Sequence, residues 1–373
     1  MTGAISARLR RAVLAAAAAT ALTAGLLAVP AGAAGPQRPA ATAAANPNPS
    51  NPLANITWGN YTDASLDPVF NAYGKATGND KTLLGKIAFK PRVRWFGSWV
   101  PDDKIGSVLR KYIDNVTGGK PDVLVQMAIF RLVPWEGEAA KRLPTKAEIA
   151  SYKLWITNAA QAIGSTHVAM ILQPDLPIAF KVPHHSHWAQ NLVAYAARQF
   201  GKLKNTAVYI DVGAADWPTV AQAVSLLRAS GQSAARGFAL DATHYDSTAS
   251  EIAYGSQVVA GLNRAGIRGK HFVIDTADSG KPFTYLKYFA KHPHGDFDNA
   301  QTCTSKTENR CVTLGIPPTN KVGLAKWHLP AKDVRLAKKN CDGYLWFGRP
   351  WLSEQAGDFV MSRALAVART TPF

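Results

Sequence analysis

The 373-residue chain carries 42 lysines and arginines against 25 aspartates and glutamates, a formal charge of +17, with 47% hydrophobic residues and three cysteines. That balance excludes a disordered polyelectrolyte, a disulfide-dense miniprotein and a collagen-like repeat, and it leaves room for one large core. The basic residues are scattered and form no block interleaved with aromatics, so no nucleic-acid partner is expected, although the charge would attract anionic wall polymers. At the N-terminus, Arg8, Arg10 and Arg11 precede an alanine-rich apolar stretch, and Ala31-Gly32-Ala33 offers a cleavage site. Residues 1–33 therefore read as a secretory signal. Without its three arginines the charge falls from +17 to +14. Residues 34–52, rich in Ala, Pro and Asn, read as a linker, and 53–373 as a single domain. No later run is long and apolar enough to cross a bilayer, so the expectation is a secreted, extracellular monomer with no membrane attachment after signal cleavage.

Seven apolar runs follow in order: RVRWFGSW (92–99), VLVQMAIF (123–130), VAMILQPD (168–175), AVYIDVG (207–213), GFALDATHY (237–245), HFVIDTAD (271–278) and GYLWFGRP (343–350). Such runs suit strands buried on both faces, and helix-length segments separate most of them. The pattern predicts an α/β fold, a distorted (β/α) barrel of about seven parallel strands. In barrels the chemistry sits at the C-terminal strand ends, which here carry Trp95, Trp99, Asp175, Asp211, Asp241, Asp275 and Arg349. Acids and tryptophans gathered at one mouth suit carbohydrate chemistry.

Asp175 follows Gln173-Pro174 and precedes Leu176-Pro177, so its carboxyl is expected in partly apolar surroundings that raise its pKa, as a general acid requires. Asp211 ends the next strand and would stand beside it; two carboxyls flanking the scissile bond are the usual equipment of a glycoside hydrolase. Trp95 and Trp217 are the preferred sugar platforms, since each follows polar or small residues. His184, His185 and His187 match no closed ligand set, so neither metal nor cofactor is expected. Cys303 is placed to pair with Cys311, or Cys311 with Cys341, in either case structurally.

These strand ends resemble those of glycoside hydrolase family 6, the inverting cellulases. The family's E-P-D segment is similar to Gln173-Pro174-Asp175, and its Y-L-D-A-G-x-x-x-W segment to Tyr209 through Trp217. Its R-G-F-A-T-N-V-x-N-Y segment resembles Arg236 through Tyr245, F-V-I-D-T recurs at Phe272 through Thr276, and D-A-Y-L-W resembles Asp342 through Trp346. The resemblance implies a distorted barrel of seven parallel strands that hydrolyses β-1,4-glucosidic bonds of cellulose or a related β-glucan with inversion. It makes Asp175 the acid, Asp211 a substrate-binding or charge-supporting carboxylate and Trp217 a sugar platform; Tyr245 and Trp346, at or just past strand ends, are further candidate substrate contacts.

Departures accompany the match. The family's Y-x-x-P-x-R-D-C segment is replaced by Phe130-Arg131-Leu132-Val133-Pro134-Trp135-Glu136-Gly137-Glu138, where Glu136 or Glu138 stands in for the acid-supporting Asp. The K-P-x-G-E-x-D-G segment, source of the disputed base, is replaced by residues 348–358, with Arg349 in place of the Lys and Glu354 and Asp358 as the nearest carboxylates. The catalytic candidates are thus Asp175, Asp211, Glu138 and Glu354. Two other readings compete: a weakened barrel that only binds polysaccharide or cell wall, and a hydrolase of another wall glycan.

Overall fold

The computed structural model describes residues 50–373; the signal at 1–33 and all but the last three residues of the 34–52 linker lie outside the described residues. Each of the seven runs forms a strand, and a two-residue strand precedes them. In order they are β1 (Thr57–Trp58), β2 (Arg94–Gly97), β3 (Val123–Phe130), β4 (Val168–Leu172), β5 (Thr206–Asp211), β6 (Gly237–Leu240), β7 (His271–Asp275) and β8 (Cys341–Leu345). All pair in parallel, β3 to β8 in sequence order. β1 and β2 divide the other edge of β3, at Val123–Leu124 and Met127–Phe130 respectively. Two residues are too short for any hydrophobic pattern, which is why β1 leaves no trace in the sequence.

The sheet curls without closing by strand pairing. Between β2 and β8 the backbone contact is Val93 N–H to the Trp346 carbonyl at 2.8 Å. The edge of β8 that β7 leaves free is taken by Thr319, which exchanges both backbone hydrogen bonds with Tyr344. Crossover helices cover the outside, among them Lys146–Ile163 and Val220–Ala229. Each of these two starts at a capping box, Thr145 with Glu148 and Thr219 with Gln222, the spacing that satisfies orphan N–H groups reciprocally.

Alternation sorts the strand residues into two cores. Ala128, Ala169, Ile171, Ala207, Tyr209, Ala239, Val273, Leu345 and Phe347 fill the interior of the curl. Their neighbours Met127, Met170, Val208, Phe238 and Phe272 pack outward against the helices. Continuing the inward parity beyond the strand ends brings in Asp175, Asp211, Asp241, Asp275 and Arg349. At the opposite, N-terminal end, Asp342 accepts from Arg236 Nε at 2.7 Å and Nη2 at 2.9 Å, and from the Tyr209 hydroxyl at 2.7 Å, all buried. Only glycine fits at the start of β6, because a Cβ on Gly237 would lie 1.8 Å from the His271 carbonyl oxygen.

The connection from β7 to β8 is long and builds a third core of its own. Phe283, Tyr288 and Phe297 join Tyr245 and Trp346 there, with the helices Pro68–Lys75, Gly78–Ala88 and Met361–Thr370. Cys303 and Cys311 form a disulfide within this connection, and Cys341 is a buried free thiol. No helix among the described residues is long and apolar enough to cross a membrane.

Candidate active site

Asp175 sits at the C-terminal mouth, half-buried, with a left-handed φ of 62°. Glu136, Gln173, Asp241, Thr243, Glu354 and Gln355 share that left-handed backbone. Non-glycine residues rarely adopt it, and such strain gathers where surrounding structure overdetermines a site. Gln173 explains part of the geometry. Its side-chain Oε1 accepts from the backbone N–H groups of Arg131 and Leu132, at 3.2 Å each, tying the loop after β3 to the end of β4. The amide that stands where the resemblance expects Glu is therefore a fastening.

Asp211 is completely buried beside Asp175 and accepts from Gly213 N–H at 3.0 Å. Burial raises the Asp175 carboxyl well above its ordinary range; Asp211, Asp298 and Glu136 add to this, and Arg349 opposes it. Burial likewise raises Asp211, against the N–H donors of Gly213, Leu176 and Asp175. Burial thus favours the protonated form of the Asp175 carboxyl, which stays in reach of solvent, as general acid catalysis requires.

Asp275 accepts from Ala277 N–H at 2.9 Å and Phe347 N–H at 3.2 Å, and from Gly348 N–H. Burial nevertheless pushes it up to about 7. A Cβ on Gly348 would meet Asp278 Oδ2 at 2.8 Å and Asp275 Oδ2 at 2.9 Å, so the chain passes between two buried acids only as glycine. Asp241 and Asp278 are also raised by burial and by neighbouring acids.

Arg349 is the cation of this acidic mouth. Its guanidinium lies 4.3 Å over the Trp95 ring, and burial lowers it to about 10 against the pull of Asp275 and Asp175. Trp95 is buried and donates to the Phe347 carbonyl at 2.8 Å, so it forms a floor beneath Arg349. Trp217 is half-buried and stacks at 5.2 Å on His244, whose Nδ1 lies 3.1 Å from Asp216. Its ring belongs to a rigid shelf at the mouth.

Other candidates lie elsewhere. Tyr245 is wholly buried, its hydroxyl donating to the Phe297 carbonyl at 2.8 Å and accepting from Gln355, so it is no substrate contact. Trp346 is 2% exposed and donates to the Ile316 carbonyl at 2.9 Å; it follows inward-facing Leu345 and so points out of the curl into the core of the β7–β8 connection. Glu138 is exposed and bound to Arg142 at 2.9 Å; Glu136 is the glutamate that acts on Asp175. Glu354 is exposed at the rim, where its N–H donates to Asn299 Oδ1 at 3.3 Å. Asp298, Gln355 and the Asp216–His244 pair escaped the sequence reading, because none of them ends an apolar run.

His184, His185 and His187 are exposed, and no three His, Cys, Asp or Glu side chains among the described residues come together as metal ligands. A separate pocket of about 210 Å³, lined in part by Lys287, Lys291, His292 and Arg310, shares no residue with the strand-end site.

Known proteins bear out the architecture. The model of Glycosyl hydrolases family 6 matches residues 55–323. Endoglucanase A of Cellulomonas fimi is 32% identical over 225 residues, 60% of this chain and 47% of that protein, so the match spans about half of that relative. Endoglucanase 1 of Streptomyces halstedii is 30% identical over 247 residues, 65% of this chain and 75% of that protein. Among solved structures, the endoglucanase Cel6 of Mycobacterium tuberculosis in complex with methyl-cellobiosyl-4-deoxy-4-thio-β-D-cellobioside superposes with a TM-score of 0.67 at 24% identity, covering 86% of this chain and 99% of that one. A GH6 enzyme of Orpinomyces sp. Y102 superposes with a TM-score of 0.66 at 16% identity, covering 86% and 98%. The chain belongs to glycosyl hydrolase family 6.

Proposed function

We propose that this chain is a secreted enzyme that hydrolyses β-1,4-glucosidic bonds of cellulose or a related β-glucan by inversion, with Asp175 as general acid. The observation that carries the reading is the place of the Asp175 carboxyl, beside Asp211 at a mouth open to solvent, where burial favours its protonated form. Asp211, buried beside it, accepts from the N–H groups of the Asp175 turn and holds that turn in place. Trp217 offers a flat apolar face beside the acid, suited to a sugar ring. The two endoglucanase relatives and the cello-oligosaccharide bound to the Mycobacterium structure support a β-glucan as the polymer.

The test is reducing-sugar release from carboxymethyl-cellulose and mixed-linkage β-glucan, with Asp175→Asn alongside. The variant is expected to fold and bind normally while losing about 100- to 10,000-fold in turnover, the usual worth of general acid catalysis. Unchanged turnover would remove Asp175 from the role. Proton NMR of the first-formed reducing end is expected to show the α-anomer. Binding without sugar release from either polymer would favour the barrel that only holds polysaccharide.

A further inference from the structure

Inversion needs a second carboxyl that faces the sugar from the side opposite the acid, with a gap of roughly 6.5–9.5 Å between the two for the water. The strand-end acids cannot supply it. Asp211, Asp241 and Asp275 are 0% exposed and Asp278 is 1% exposed, so no attacking water reaches them. Two of the acids acting on Asp175, Glu136 and Asp298, keep solvent-exposed surface, although protein crowds around both carboxyls. Glu136 follows β3, the strand next to β4, and stands on the acid's own side. Asp298 lies in the connection after β7, three strands around the sheet from β4, and reaches the mouth from the other wall.

We propose that Asp298 is the carboxylate that takes the proton of the attacking water. Its turn is fastened to the sugar shelf: the ring of Phe297 lies 5.3 Å from His244, which stacks under Trp217. The Tyr245 hydroxyl holds the Phe297 carbonyl, Asp296 accepts from Asp298 N–H at 3.1 Å, and Asn299 accepts from Glu354 N–H. The titratable groups facing Asp298 include Asp296, His244, Glu136 and Glu354, and it acts in turn on Asp175 and Tyr245. Burial within the cleft and Asp296 push its carboxyl up to about 6, with His244 opposing and the two glutamates adding. A base of that strength is ionised near neutral pH and still accepts a proton readily.

The assignment rests on Asp175 acting as the acid. In the step, the water oxygen bonds to the anomeric carbon as its proton passes to Asp298. The bond from that carbon to the glycosidic oxygen breaks, and the leaving oxygen takes its electron pair and the Asp175 proton. Asp298 ends protonated and Asp175 ionised, and exchange with solvent restores both.

The experiment compares Asp298→Ala and Asp298→Asn with Asp175→Asn on mixed-linkage β-glucan and on 2,4-dinitrophenyl β-cellotrioside, whose leaving group needs no proton. Both Asp298 variants are expected to lose about 100- to 10,000-fold on both substrates, whereas Asp175→Asn keeps turnover on the dinitrophenyl substrate. Azide, a nucleophile that carries no proton to remove, is expected to accelerate Asp298→Ala and to yield the α-glycosyl azide. The rising limb of the pH–rate profile, near 6 in the parent protein, is expected to vanish. Unfolding midpoints equal to the parent's would show that both variants fold. Parent-like turnover of the Asp298 variants, with Asp175→Asn inactive on β-glucan, would overturn the assignment and leave the acid standing. Loss without azide rescue and with the rising limb intact would reduce Asp298 to a loop fastening. Parent-like turnover of Asp175→Asn on β-glucan would remove both.

Discussion

At the scale of single residues, Gln173 shows how little of a site is the reacting groups themselves. It buries an amide so that two backbone N–H groups of the neighbouring loop have an acceptor. Gln173→Ala leaves both donors unsatisfied, a cost of about 1–3 kcal/mol, and frees the turn that carries Asp175. The expected result is a lower unfolding midpoint together with a fall in kcat at nearly unchanged KM. Asp175, Asp211 and Asp275 were legible in the sequence because a strand end and its inward parity are written locally. Trp346 was legible by the same rule and misjudged: the residue after inward-facing Leu345 must face outward. Tyr245 was not legible, since its burial depends on Phe283 and Phe297, 38 and 52 positions further along.

At the scale of elements, the strands and their order could be read directly, whereas the connection between β7 and β8 could not. Its short helices owe their positions to an aromatic cluster assembled from distant parts of the chain, and local periodicity carries no record of that. This is why Asp298 was invisible to a reading built on strand ends. The disulfide Cys303–Cys311, eight positions apart, closes a small loop inside the same connection. By loop-closure entropy it contributes about 2–3 kcal/mol, and Cys303→Ser with Cys311→Ser is expected to lower the unfolding midpoint accordingly. Cys341, buried and unpaired, is expected to resist alkylation until the barrel unfolds.

At the scale of the whole molecule, the buried acids set the response to pH. Asp175, Asp211, Asp241, Glu251 and Asp278 are all raised by burial, and Asp275 stands at about 7. In the unfolded chain such groups titrate near about 4, so the folded state binds more protons above that pH. Their contribution is fully present below about pH 4 and is lost as pH rises through the folded values, for Asp275 across about 4 to 7. Denaturant unfolding is therefore expected to show greater stability at about pH 5 than at about pH 8, with a shallower slope in Asp278→Asn. A midpoint that rises over that interval would contradict the assignment of these acids as protonated.

The unclosed side of the barrel bears on where this chain can be cut. Leu53 is fully buried in the interior core, Asn51 donates to the Asp342 carbonyl at 2.8 Å, and Asn320 donates to the Leu53 carbonyl at 2.7 Å. The residues just before β1 are thus a stopper in the gap that β2 and β8 leave. A chain trimmed to begin at residue 59 would lose this stopper together with β1, baring the Val123–Leu124 edge of β3 and the interior behind it. Bare strand edges recruit other strands. The shortened protein is expected to self-associate at concentrations where a chain starting near residue 45 stays dispersed, a difference that light scattering would register. Trimming only four residues into the family match would turn the barrel into its own binding partner.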